Sequence, residues 1–200
     1  MLRRSLMMSG FCCLVASYAV AQSPQTVRIR GTVDAVNATL LQVTSRDGDK
    51  LSISLPQKLP VTEIVPAQIS DIKSGTYIGT AAVSQPDGTL RALEVQVFPE
   101  SRRGVGEGSR PWDLRPQSSM TNGTATNVVG TNGRTLTVEY KGGEKKLVVP
   151  PNAPIITYEP GTRDMLTPGS HVIITAQKSS SGTLTATNVS VGKNGLTPPM

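Results

Sequence analysis

Histidine occurs once in this 200-residue chain, at His171, and its two cysteines, Cys12 and Cys13, stand side by side near the start. One imidazole without a nearby thiol does not make a typical zinc site. Any histidine-dependent nucleophilic triad would have to use His171, and no Gly-x-Ser-x-Gly elbow is present. Aromatic residues make up only 4% of the chain, so a core has to be assembled from Val, Ile, Leu and Ala. Tyr77, Phe98, Trp112, Tyr140 and Tyr158 are scattered along it, which is poor material for the stacking platform of a nucleic-acid binder. Long apolar runs are also missing, since the stretch from Leu6 to Val20 is too short to span a bilayer comfortably.

That stretch has another use. Arg3 and Arg4 precede it, and Ala19-Val20-Ala21 follows as a small-x-small cleavage site before Gln22, so residues 1–21 read as a signal peptide. Phe11 and Cys12 precede the two cysteines where a lipid anchor needs a small residue, so no anchor is expected. Cleavage near Ala21 removes both thiols and leaves an exported chain without disulfides, which suits a periplasm or secretion from a bacterium. The Asn-x-Ser/Thr matches at Asn37, Asn122 and Asn188 then read as accidents of composition. Loss of Arg3 and Arg4 reduces the basic residues from 20 to 18 (20 − 2) against 14 acids, a net charge of +4. Mild basicity permits attraction to acidic polymers without demanding it.

What the chain does have is repetition. Thr89-Leu90-Arg91-Ala92-Leu93-Glu94-Val95-Gln96-Val97 after Gly88 matches Thr183-Leu184-Thr185-Ala186-Thr187-Asn188-Val189-Ser190-Val191 after Gly182, 94 positions on (182 − 88). Gly75 pairs with Gly169, Tyr77 with His171, Leu55-Pro56 with Val149-Pro150 and Val61 with Ile155 at the same offset, and Gly31 pairs with Gly123. The pattern predicts an internal duplication of a β-rich unit. Val27 to Ala35 alternates apolar and polar residues as a half-buried strand does. Leu41 to Val43, Leu51 to Leu55, Tyr77 to Val83 and Leu90 to Val97 continue the series, with a hairpin at Asp47-Gly48 and a helical turn over 69–75. The second copy repeats the order over 122–129, 136–140, 146–149, 171–177 and 184–191. The expected fold is all-β: two tandem, small, OB-like five-stranded barrels, one over 22–98 and one over 122–192, followed by a tail over 193–200.

Residues 99–121 have no counterpart in the repeat. They are rich in Gly, Pro and Arg and hold the only tryptophan, Trp112, so they read as an ordered strap with the indole packed between the barrels. The strap motifs Gly106-Glu107-Gly108 and Pro111-Trp112-Asp113, the Met120-Thr121-Asn122 segment, Tyr140-Lys141-Gly142-Gly143, Val149-Pro150-Pro151 and the end Pro198-Pro199-Met200 resemble a family of exported proteobacterial proteins. That family is built on an OB-like domain of unknown function, and the resemblance implies the same fold here. Some members carry the label of a metal transporter permease, which would require several apolar spans. Many have histidine where this chain has Ser109. No functional residues are carried over.

The remaining candidates are weak as chemistry. Asp47-Gly48-Asp49 starts like a calcium loop but lacks its later acids and closing glutamate. The glycine-rich run 104–108 does not join a strand to a helix, so it is no phosphate cradle. Glu107 and Asp113 are the one carboxylate pair that suits acid–base catalysis, and Arg103, Arg110 and Arg115 beside them favour salt bridges instead. The reading is a non-enzymatic binding protein without cofactor, metal or nucleic acid. Its contact surface is expected at Arg102, Arg103, Arg110, Trp112 and Arg115, for an envelope protein or acidic polymer. The alternatives are a small anion or metal ion between the barrels, and a carboxylate enzyme acting on envelope polysaccharide.

Overall fold

A computed structural model describes residues 25–129 and 134–199. The expected signal peptide over 1–21, with Cys12, Cys13 and the cleavage site, lies outside them. The described chain is all-β, with 3-10 turns of three residues at Ile69–Asp71, Glu100–Arg102, Arg163–Met165 and Lys193–Gly195. Its strands are β1 (Gln25–Val36), β2 (Leu40–Ser45), β3 (Lys50–Ser54), β4 (Val61–Pro66), β5 (Tyr77–Ser84), β6 (Leu90–Val97) and β7 (Gly108–Pro111). They continue with β8 (Ser118–Val129), β9 (Thr135–Tyr140), β10 (Gly143–Val148), β11 (Ile155–Pro160), β12 (His171–Lys178) and β13 (Leu184–Gly192). Among the described residues no helix is long and apolar enough to cross a membrane.

Alternation does what the sequence implies. Leu41 and Val43 of β2 and Ile53 of β3 are fully buried while Gln42 and Ser52 face out, and Gly48 turns the hairpin at a φ of 92° that favours glycine. The strand β4 and its counterpart β11 exceed the five strands expected of each repeat. Both are short and flanked by proline, with Pro60 and Pro66 around one and Pro154 and Pro160 around the other, which disguised them as loops.

The strand partners depart from the expected division at residues 98 and 122. β1 pairs β2, β2 pairs β3, β3 pairs β13, β13 pairs β12, and β12 returns to β1. A second closed circuit runs β8, β9, β10, β6, β5 and back to β8. Each ring therefore takes three strands from one half of the chain and the last two from the other. Alternation fixes which face of a strand is buried but not which of two similar edges it joins, so two halves with similar strand patterns can exchange strands. The rings are not free-standing barrels either. β4 and β11 pair with each other, and with β13 and β6, joining everything into one 13-stranded sheet.

Registers recur between the rings. Gly31 faces Val172 in one, and Gly123 faces Ile78 in the other. Leu184 closes on Ile53 as Leu90 closes on Leu147. The register shift at Thr175/Ala176 matches that at Ala81/Ala82. Each ring encloses its own apolar core, around Leu41, Val43, Ile53 and Ile174 in the first and Ile78, Val95, Leu136 and Leu147 in the second. A third cluster, Ile64, Tyr77, Phe98, Ile156, Tyr158 and Ile173, fills the junction between them. Burial of these apolar surfaces is the main favourable term in folding.

Candidate functional site

The junction is covered on one side by the strap. After β6 the chain makes the 3-10 turn at Glu100–Arg102, then passes through Gly106 at a φ of 60°. The backbone here favours glycine, and a Cβ at Gly106 would crowd the ends of two side chains, 3.1 Å from Asn122 Nδ2 and 3.3 Å from Arg110 Nη2. The strap then forms β7, which pairs with the first part of β8, Ser109 opposite Thr121 with their hydroxyls 3.0 Å apart.

Specific bonds hold it at both ends. Asn122 Nδ2 and Tyr77 OH donate to the Val105 carbonyl at 3.0 and 3.3 Å, and Arg110 Nη1 donates to the Gly106 carbonyl at 2.8 Å. Glu107 accepts from the Lys141 backbone N–H at 2.9 Å, on the β9–β10 turn of the second ring. At the other end Asp113 takes a two-pronged bond from Arg30 of β1, at 2.8 and 3.1 Å, with Arg28 3.6 Å away. The Asp113 carboxyl is held below its usual range, chiefly by the Arg30 hydrogen bonds. Glu107 and Asp113 thus bond separate parts of the molecule, and the arginines that hold Asp113 come from β1 rather than from Arg103, Arg110 or Arg115.

Between strap and junction lies a cavity of about 170 Å³. Arg28, Arg102 and Arg110 line it, with the rings of Phe98, Trp112 and Tyr158 and the side chains of Asn122 and Ile173 among their neighbours. The cations lie over the rings: Arg28 is 4.1 Å from the Trp112 ring centre, Arg110 5.3 Å from it, and Arg102 4.4 Å from Tyr158. Phe98 stacks on Tyr158 at 5.8 Å and meets Tyr77 at 5.6 Å. No carboxylate lines this cavity. The Arg28 guanidinium is pushed below its usual range by burial, with Arg30 and Arg110 adding repulsion against the pull of Asp113. Arg102 Nη1, Trp112 Nε1 and Asn122 Oδ1 are buried without a hydrogen-bond partner.

A larger cavity of about 330 Å³ lies nearer the first ring, lined by Arg28, Arg30, Arg46, Asp47, Asp49 and Asp113 among others. There acids balance the arginines, whereas in the smaller cavity Arg28 has Asp113 3.6 Å away and Arg102 and Arg110 form no ion pair among the described residues. Behind that cavity runs a buried polar chain. Tyr158 OH donates to Gln96 Oε1 at 2.7 Å, and Gln96 Nε2 donates to Glu94 Oε1 at 2.8 Å. Glu94 is fully buried, and burial pushes its carboxyl up to about 7. Burial also raises the Tyr158 phenol.

Of the residues expected to form the contact surface, Arg102, Arg110 and Trp112 converge on the cavity. Arg103 turns away to Glu100 and the Gly75 carbonyl, and Arg115 is exposed on the strap. Gly106, Glu107, Gly108, Pro111 and Asp113 sit in the strap as its holding elements. The aromatic residues, scattered in sequence, prove gathered in space, since four of the five meet here. Arg28, Phe98, Asn122 and Tyr158 were not singled out for the site. A signal existed: Tyr158 stands where the other half has Ile64, and Phe98 where it has Gly192. Large departures from the repeat mark the junction.

The other candidates resolve simply. His171 Nδ1 lies 3.1 Å from Thr32 Oγ1 on the paired strand. In the Asp47 turn, Ser45 Oγ accepts from the Asp47 and Asp49 backbone N–H groups at 3.2 and 3.1 Å. Among the described residues no group of three or more His, Cys, Asp or Glu is placed to hold a metal ion. No family model matches this chain, and no curated protein or solved structure matches it.

Proposed function

We propose that this protein is a non-enzymatic binding protein of the bacterial envelope, exported by residues 1–21, that holds an acidic partner in the strap-covered cavity. The observation that carries the reading is the lining of that cavity: Arg28, Arg102 and Arg110 with three aromatic rings and no carboxylate. Guanidiniums spread over rings recognise a carboxylate or another anion while offering apolar surface beside it. The recurrence of register between the rings supports descent from a duplicated OB-like unit, and membership of the exported proteobacterial family belongs to the same proposal. The test is recovery of the tagged mature chain from intact cells after cross-linking, followed by native mass spectrometry of what accompanies it. A dominant companion, large or small, lost in the Arg102→Ala, Arg110→Ala double variant supports the reading. The same companions with both proteins contradict it.

A further inference from the structure

The occupant of the strap-covered cavity can be narrowed, on the reading just proposed. We infer that the cavity takes a small organic carboxylate with an apolar or aromatic body and one hydrogen-bond donor, of the hydroxybenzoate kind. Size comes first. A cavity near 150 Å³ accommodates a benzene ring, and drug-sized ligands fill pockets of roughly 300 Å³ or more. At about 170 Å³ the space between strap and junction, which is partly open to solvent, has room for a molecule of one ring.

Chemistry narrows it further. Arg102 and Arg110 supply positive charge that no ion pair offsets among the described residues, and Arg28, 3.6 Å from Asp113, adds a third guanidinium to the lining. A carboxylate takes paired N–H donors from a guanidinium in a way that an apolar ligand cannot. Inorganic phosphate would satisfy the charge but leave Phe98, Trp112, Tyr158, Val105 and Ile173 facing nothing apolar. Two buried donors, Arg102 Nη1 and Trp112 Nε1, lack a partner, as does one buried acceptor, Asn122 Oδ1. A carboxylate with a hydroxyl or amine elsewhere on its body answers both kinds after side-chain rotation. The buried Tyr158–Gln96–Glu94 chain fixes the rear wall, since each link is hydrogen-bonded to the next.

The test uses the full mature protein with five probes: 4-hydroxybenzoate, benzoate, cyclohexanecarboxylate, inorganic phosphate and polyglutamate. Binding is read by calorimetry and by the rise in melting temperature that binding to the native state produces. The ring-bearing carboxylates are expected to bind saturably, 4-hydroxybenzoate best, and phosphate to bind at least about tenfold more weakly. Arg102→Ala is expected to weaken 4-hydroxybenzoate about tenfold or more, the scale of a lost charged hydrogen bond. Trp112→Phe keeps a ring but loses the Nε1 donor, and is expected to weaken binding less while leaving the fold intact. Preference for phosphate or polyglutamate over the ring acids overturns the inference while leaving the envelope-binding reading standing. So does equal affinity in wild type and in a folded Arg102→Ala protein. Failure of all five probes, together with a companion recovered from cells, also refutes the inference alone. Failure of all five with no companion refutes both.

Discussion

Ile64 and Tyr158 face each other across the antiparallel pair of β4 and β11, and each is also the other's counterpart at the 94-residue offset (158 − 64). Positions at matching offsets that pair with each other mark a local two-fold relation between β4 and β11. On either side, Val65 faces Thr157 and Glu63 faces Glu159, and Lys193 lies 3.4 and 3.3 Å from those two carboxylates. The strap-covered cavity lies beside this junction, with Tyr158 itself in its wall.

Because each ring borrows two strands from the other half, neither half carries a complete core. Separately produced chains covering 22–98 and 122–199 are expected to lack the dispersed amide spectrum of a folded monomer and to recover it on mixing. A dispersed monomeric spectrum from either half alone would contradict the exchange of strands.

The cores make the same point residue by residue. Ile53 and Ile174 are fully buried in one cluster although they come from different halves. Ile53→Ala is expected to cost about 2–5 kcal/mol in denaturant unfolding. Ile174→Ala is expected to cost as much, and to shift the same single transition.

Gly31 and Gly123 occupy equivalent places where the neighbouring strand comes closest. A Cβ at Gly31 would collide with the Thr44 carbonyl oxygen, and one at Gly123 with that of Glu139. Alanine at either is expected to destabilise by about 1–3 kcal/mol through backbone displacement, measurable by thermal unfolding.

Glu94 gives the fold a dependence on pH. Its folded pKa, raised to about 7 by burial, exceeds the ordinary carboxylate value of 4.5. The folded state therefore holds the proton more tightly than the unfolded one. That contribution is fully present below the unfolded pKa and is lost as pH rises towards 7. Its full size is about 3 kcal/mol. Stability measured by urea unfolding is expected to fall between pH 5 and 8 by an amount on that scale, and Glu94→Gln to flatten the fall.

Asp113 acts in the opposite sense. Its depressed pKa means that its bond to Arg30 contributes above the usual aspartate range and is lost as pH falls through the folded pKa. The carboxylate is half exposed, so global stability is expected to change by less than about 1 kcal/mol in Asp113→Asn. Hydrogen exchange of the 112–117 strap segment is expected to rise instead.

Most strand positions and the hairpin turn at Asp47-Gly48 were legible because alternation and turn glycines are local signals. Strand exchange was not, since the apolar pattern of β5 and β12 marks residues to bury without marking which neighbouring strand each one joins. β4 and β11 were missed because their flanking prolines resemble loop punctuation. In the site, Arg102, Arg110 and Trp112 were visible as residues of an insertion rich in cations with a lone indole. Arg28 was hidden as one polar member of an alternating strand, and Glu94 as the one acid in another. Only the fold brings β1, β6 and β11 to one cavity.

The central claim is that the strap-covered cavity binds a small carboxylate, and Trp112, the only tryptophan, reports on it directly. Its fluorescence is to be followed as cyclohexanecarboxylate, which does not absorb with indole, is added to the wild-type protein and to Arg28→Ala, Arg102→Ala. The account predicts a saturable change in the wild type that is lost in the variant. Unchanged emission in the wild type up to the solubility of the acid, or the same change in both proteins, would contradict it.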